Sequence, residues 1–220
     1  TFYLYKMQLS YIAGHYRDAL SAAQEGQTYK DSILGFMISA EYVFYYSLVI
    51  TAYYDNMTLK ERIFFLKVLK KNLRQLKKWA KVCRENFLHK YLLVAAETAR
   101  IWHKKGKAMS LYDNAILQAR ENGYLQNEAL ANELAAKFYL SNGMLKIAST
   151  YMMDACSGYE KWGAHAKVKE LQKDYYEILE ERIVNEKEIN KSDDEKNYEN
   201  HLANSKYLIY TRENNYYNKE

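Results

Sequence analysis

A metal site, a nucleophile or a phosphoacceptor in this chain would have to be built from five histidines (His15, His89, His103, His165 and His201) and two cysteines (Cys83 and Cys156). None of the histidines stands at metal-ligand spacing from a cysteine or carboxylate, and the cysteines form no metal spacing. His89 is followed by Lys90, where a phosphoaccepting histidine favours an acid, so it reads as an ordinary surface or half-buried side chain. The only Gly-Lys pair, Gly106-Lys107, is followed by Ala108 and lacks the earlier glycine of a phosphate-binding loop. The catalytic-loop and metal-binding triplets of protein kinases are missing as well. Asp193-Asp194 are paired acids, but in so charge-rich a stretch they read as a solvated cluster. The sequence therefore predicts no catalytic residue, no metal and no cofactor within these 220 residues.

Charge is the chemistry the chain does organise. Residues 59–90 carry Lys60, Arg62, Lys67, Lys70, Lys71, Arg74, Lys77, Lys78, Lys81, Arg84 and Lys90 against Glu61 and Glu85. The run Lys67, Lys70, Lys71, Arg74, Lys77, Lys78 and Lys81 is a basic stripe. It has two readings. One is a surface for nucleic acid, anionic lipid or an acidic peptide, with Trp79 placed to stack on a base. The other is the solvated face of an amphipathic helix with Trp79 in the core. The net charge of +5 allows an acidic partner without demanding one.

Helices must position these groups. The chain has no proline and only 8 glycines, which suits long uninterrupted helices and not a turn-rich β sandwich. Hydrophobic residues make up 49%, raised by 23 tyrosines, and charged residues 27%, a globular balance. The most telling stretch is 129–171. Ala131, Leu134, Ala135, Phe138 and Tyr139 form one helical stripe, and Asn142-Gly143 stops the helix. A second helix starts at Met144 or Leu145 and carries Ala148, Met152 and Ala155 on one face. Alanines there let two backbones approach closely.

The same unit recurs. Ala19 follows Gly14 by five residues, as Ala148 follows Gly143, and Ala108, Tyr112 and Ala115 repeat the spacing of Ala148, Met152 and Ala155. Helices are expected over residues 2–13, 16–26, 33–54 (capped by Asp31 or Ser32), 59–83, 87–104, 107–122, 128–140 and from 144. A closing helix is expected over 161–182. Asp55-Asn56-Met57 reads as a turn, and Thr58 with Glu61 as a capping box. Leu59, Ile63, Leu66, Leu69, Leu73, Leu76, Ala80 and Cys83 would be the seam of the helix that follows. Residues 84–86 read as a short link, and the 87–104 helix is expected to end near Gly106. Ala108 and Ala148 are 40 residues apart, and the 89 between Ala19 and Ala108 leave room for one more pair. These readings predict an all-α fold: a right-handed solenoid of antiparallel, tetratricopeptide-like helix pairs, about four pairs plus a closing helix. The period is longer than the roughly 34 residues usual for tetratricopeptide repeats. The repeat domain would occupy residues 1–183, and residues 184–220 would be a charged Asn/Lys/Glu/Tyr-rich tail, a helical extension or disordered.

The segments FYLYKMQLSYIAGHYRDALSAA, FLHKYLLVAAETARI, EALANELAAKFYLSNG and KWGAHAKVKEL, among others over residues 1–180, resemble the helical repeat region of very large bacterial signalling proteins of cyanobacterial type. In those proteins a serine/threonine kinase and an AAA/STAND-type ATPase precede the repeats, and a GAF domain and often a sensor histidine kinase follow. The resemblance implies a middle piece of such a protein. It departs from the pattern where prolines are usual, at Cys83-Arg84-Glu85-Asn86 and Tyr175-Tyr176. A first residue other than Met fits a piece of a longer or processed chain.

The expected function is therefore a non-catalytic interaction scaffold. Its partners would be protein or peptide segments, including neighbouring kinase, ATPase or GAF domains. In such stacks the first helix of each pair lines the groove, which makes Lys90, Glu97, Arg100, Glu133 and Lys137 the candidate partner-binding residues. The alternative is a basic-helix module for nucleic acid or an anionic membrane surface. With no signal-peptide pattern, no apolar run of about 18 residues and two unpaired thiols, the expected compartment is the cytoplasm.

Overall fold

The computed structural model describes residues 1–28 and 36–180. They are helical, with no strand among them. The order is α1 (Phe2–Ile12), α2 (Tyr16–Thr28), α3 (Phe36–Tyr53), α4 (Leu59–Val82), α5 (Arg84–Ile101), α6 (Lys105–Glu121), α7 (Leu125–Ser141), α8 (Leu145–Trp162) and α9 (His165–Asp174), with a 3-10 turn at Tyr54–Asn56. The chain divides into two units, Thr1–Tyr175, which holds these nine helices, and Tyr176–Glu220. The expected cap at residue 31 or 32, His201, Asp193-Asp194 and the 184–220 tail lie outside the described residues.

Five of the connections are one structure repeated. At Gly14, His103, Gly123, Gly143 and Gly163 the backbone turns left-handed, with φ between 54° and 88°. In each, the N–H of the left-handed residue donates to the carbonyl three residues back, and the next N–H to the carbonyl five back: Gly143 to Leu140 and Met144 to Tyr139, His103 to Arg100 and Lys104 to Ala99. This Schellman-type closure satisfies the last carbonyls of the outgoing helix. The last four turns fall twenty residues apart, so a two-helix unit takes forty.

Helices pack in neighbouring pairs, α1 on α2, α5 on α6 and α7 on α8 most closely. Alanine makes those crossings close. Ala19, Ala108 and Ala148, each five residues past a left-handed turn, are fully buried, as are Ala115, Ala155 and Ala129. At Gly158 a Cβ would come within 2.9 Å of the Ala129 side chain, so α8 needs a glycine there. The first helices also touch in succession, α1 on α3, α3 on α5 and α5 on α7. Tyr45, Phe44, Tyr112 and Phe138 are buried in the core cluster that runs along them.

The capping box is present, with Thr58 N–H donating to Glu61 and Glu61 N–H to Thr58 Oγ1. Several sequence expectations are corrected. The helix after α4 starts at Arg84, so the link is Cys83 alone, in extended conformation. The turn after α5 is at His103, and Gly106 lies inside α6. The closing helix is split by Gly163, so Lys161 and Trp162 belong to α8. On α4 the buried side chains are Phe65, Leu69, Asn72, Leu76 and Ala80, while Leu59 and Ile63 are 76% and 54% exposed. The predicted seam is right from Leu69 onward and wrong in its first two turns. Cys83 and Cys156 are free and half-buried.

Ala148→Leu overpacks the α7/α8 crossing and is expected to cost roughly 1–3 kcal/mol, read as a lower melting temperature. His103→Gly should do the reverse. It relieves a left-handed non-glycine residue in a turn that elsewhere carries glycine, for a gain of about 1 kcal/mol in thermal or urea unfolding.

Candidate binding cleft

Where α1, α3, α5, the start of α7 and the end of α8 come together they leave an open cleft of about 690 Å³. Tyr5, Leu9 and Ile12 of α1 form one wall, and Tyr124, Leu125 and Trp162 another. Glu41 of α3, Lys90 of α5, Gln8, Gln126 and Asn127 supply polar groups. Tyr5, Leu9 and Trp162 are 59%, 69% and 42% exposed. Helix α1 is apolar on two faces: Leu4, Met7 and Tyr11 enter the core, and Tyr5 and Leu9 are left facing outward. Exposed apolar side chains gathered in a concavity, with a few polar groups among them, are the general make-up of a binding site.

Lys90 is the cation of the cleft lining and is itself buried. Its Nζ pairs with Glu41 Oε1 at 2.9 Å and lies 5.0 Å and 5.3 Å from the ring centres of Tyr124 and Phe44. Burial pulls its ammonium below the ordinary value, with Glu41 opposing. The His89 ring stacks on Tyr124 at 4.3 Å. Its Nε2 is 2.8 Å from Asn127 Nδ2 and 3.3 Å from Lys90 Nζ. Both neighbours are donors, so Nε2 accepts and the proton sits on Nδ1, which has no partner among the described residues. Burial, helped by the Lys90 charge, lowers the His89 pKa to about 3. His89 is thus a buried neutral base, not the surface or half-buried histidine expected from sequence.

The other expected groove residues form two clusters apart from the cleft lining. On α5, Arg100 donates from Nε and Nη2 to Glu97 Oε2 at 3.0 and 2.8 Å. Tyr112 of α6 donates to Glu97 Oε1, and Arg100 also reaches the Thr51 carbonyl of α3 at 2.8 Å. On α7, Glu133 Oε1 accepts from Lys137 at 2.5 Å and faces Lys167 of α9 at 3.3 Å, while Tyr159 of α8 donates to Oε2 at 2.7 Å. Burial alone would raise the Glu133 pKa, but Lys137 and Lys167 outweigh it and the net shift is downward. Lys167 also donates to the Ile12 carbonyl at 2.9 Å, joining α9 to α1 across 155 residues.

Of the five groove candidates, then, only Lys90 lines the cleft. Glu97 and Glu133 are buried and paired within the chain, and Arg100 and Lys137 are partly buried beside them. The seven stripe cations are all exposed on α4, away from the cleft. Sequence reasoning missed Tyr5, Leu9, Glu41 and Trp162. The available signal was α1 itself, whose apolar residues exceed what one buried face can use. Among the described residues no group of histidines, cysteines and acids could hold a metal ion. No helix among them is long and apolar enough to cross a membrane.

No family model and no solved structure matches the chain. Over 114 residues, 52% of its length, it is 28% identical to hybrid signal transduction histidine kinase G of Dictyostelium discoideum, and it spans 3% of that protein. Part of the chain is therefore similar to a segment of one large signalling protein. That relative belongs to an amoeba, whereas the sequence resemblance pointed to bacterial proteins.

His89 gives the cleft a pH signature. Its folded pKa is depressed, so its stabilising contribution is complete above the unfolded value of 6.5 and is lost as pH falls toward the folded value near 3. Between pH 6.5 and about 5 the protein should lose roughly 2 kcal/mol. His89→Gln, which keeps an acceptor and cannot charge, should flatten that slope in urea titrations at the two pH values. An unchanged slope would mean that His89 takes up its proton equally well in the folded and unfolded states.

Proposed function

We propose that this chain is a non-catalytic interaction scaffold within a larger signalling protein. It is a right-handed solenoid of antiparallel, tetratricopeptide-like helix pairs that takes a peptide segment or a neighbouring domain in its cleft. The observation that carries the reading is the set Tyr5, Leu9 and Trp162, exposed apolar side chains held in a concavity floored by the Lys90–Glu41 pair. The forty-residue repetition of turns and buried alanines supports the solenoid, since stacked two-helix units of fixed length bury one continuous core. The printed name of the Dictyostelium relative supports a signalling setting. In this reading kinase, ATPase and GAF activities belong to other parts of the parent, the scaffold works in the cytoplasm, and it carries no metal or cofactor. Glu97, Arg100, Glu133 and Lys137 shape the groove from behind, and Lys90 touches the bound segment.

The bound segment would insert an apolar or aromatic side chain between Tyr5, Leu9 and Trp162. Its backbone would meet Gln8, Gln126 and Glu41. The first ligands to test are the domains adjoining these 220 residues in the parent protein, by calorimetry. Leu9→Asp combined with Trp162→Ala changes exposed positions, so the fold should survive, and binding should weaken about tenfold or more. If the double variant binds as the parent does while Glu133→Gln binds poorly, the cleft is not the site.

A further inference from the structure

We propose that the outer face of α4 is a docking surface for a membrane rich in anionic lipid. The inference is independent of the cleft and of what the cleft holds. The seven stripe cations, from Lys67 to Lys81, span about 21 Å of helix at 1.5 Å per residue. All seven are exposed, and none is ion-paired to an acid among the described residues. The only acid on α4, Glu61, is held in the capping box at the far end of the helix. The outer face of α4 therefore carries seven cations with no acid of its own helix among them.

Cations alone do not choose between a nucleic acid and a bilayer. The apolar side chains on the same helix do. Leu59, Ile63 and Phe64, at its first turns, are 76%, 54% and 54% exposed, and Val82 at its end is 85% exposed. The buried contacts of α4 are made by Phe65, Leu69, Leu76 and Ala80, and Leu59, Ile63, Phe64 and Val82 lie outside that set. A nucleic acid takes up the cations and leaves these side chains in water. An anionic bilayer takes up both: lipid headgroups meet the lysines while Phe64, Ile63 and Leu59 enter the headgroup and acyl boundary. Lysine stems lie along that boundary with their charges outward. Because the opposite face of α4 is committed to the protein core, the contact is peripheral, with the helix lying along the surface.

The test uses the full chain in flotation or sedimentation with phosphatidylcholine vesicles, with and without about one third phosphatidylserine. Expected is binding to the anionic vesicles, weakening steeply with salt, and none to the neutral ones. Lys70→Glu with Arg74→Glu and Lys77→Glu should weaken it at least about tenfold. Ile63→Asn with Phe64→Asn, which leaves every cation in place, should weaken it about fivefold. Circular dichroism and melting curves confirm that both variants fold. Failure to bind anionic vesicles at low salt overturns the proposal. So does vesicle binding indifferent to Ile63→Asn with Phe64→Asn. Tighter binding to a single-stranded RNA than to the vesicles, equally indifferent to that pair, would give the face to nucleic acid instead.

Discussion

Two carboxylates buried inside a helical stack set the terms for the rest of this structure. An unpaired charge in a low-dielectric interior is costly, and taking one partner away from a buried ion pair costs on the order of 3–5 kcal/mol. Glu97 and Glu133 are both buried; Glu97 accepts three hydrogen bonds from two side chains, and Glu133 is met by three side chains. Glu97 has Arg100 one turn along its own helix and Tyr112 from the paired helix, and that arginine continues to the Thr51 carbonyl of α3. Glu133 has Lys137 one turn along, Tyr159 from the paired helix, and Lys167 from α9. The chemistry is the same in the two pairs though the register differs. In each, a tyrosine hydroxyl fixes one helix against its partner and a cation ties the pair to a third helix, α3 for Glu97 and α9 for Glu133. Apolar packing would tolerate small slides between helices. A buried carboxylate with three directional donors would not.

This constraint also explains how distant parts of the chain meet. Lys167 is shared between Glu133, Glu170 and the Ile12 carbonyl, so one ammonium group joins α7, α9 and the end of α1. Helix α1 is thereby held over the first-helix layer with its second apolar face, Tyr5 and Leu9, turned toward Trp162 and Tyr124. The ionic network lies outside the cleft lining and meets it at Ile12, whose carbonyl Lys167 holds. The floor of the cleft is a third buried charge, Lys90, whose ammonium rests between two aromatic rings and Glu41.

The local grammar of the fold is legible in the sequence because it depends on neighbours along the chain. Gly14, Gly143 and Gly123 announce left-handed turns, Thr58 and Glu61 announce a capping box, and Ala19, Ala108 and Ala148 announce close crossings. Misreadings arise where one residue does a task usually given to another. His103 occupies the left-handed position of a turn identical to the glycine turns, while Gly106, three residues on, sits in a helix and draws the boundary to the wrong place. The first turns of α4 mislead for a different reason. Leu59 and Ile63 continue the helical period of Leu66 and Leu69, but period alone does not say where along its length a helix meets a neighbour. The buried charges are the least legible of all. Hydropathy assigns Lys90, Glu97 and Glu133 to water, and what makes their burial possible is Glu41, Tyr112, Tyr159 and Lys167, on other helices. Sequence places these residues on the first helix of each pair, but as groove side chains, whereas Glu97 and Glu133 are buried and paired within the chain.

The two surfaces identified differ in what the fold asks of them. Tyr5, Leu9 and Trp162 sit beside side chains that hold the helices in register, so a ligand in the cleft presses on elements linked through Lys90 and Glu41 to α3 and α5. The outer face of α4 presses on little. Its seating residues Phe65, Leu69 and Leu76 point to the core, and its cations end in water without a described acidic partner. Substitutions on one surface should therefore leave the other unaffected, since additivity holds for groups that share no partners. The two sets of charge are thus physically separate: Lys90, Glu97 and Glu133 are buried and paired between helices, and the cations of α4 lie exposed on a helix seated through other side chains.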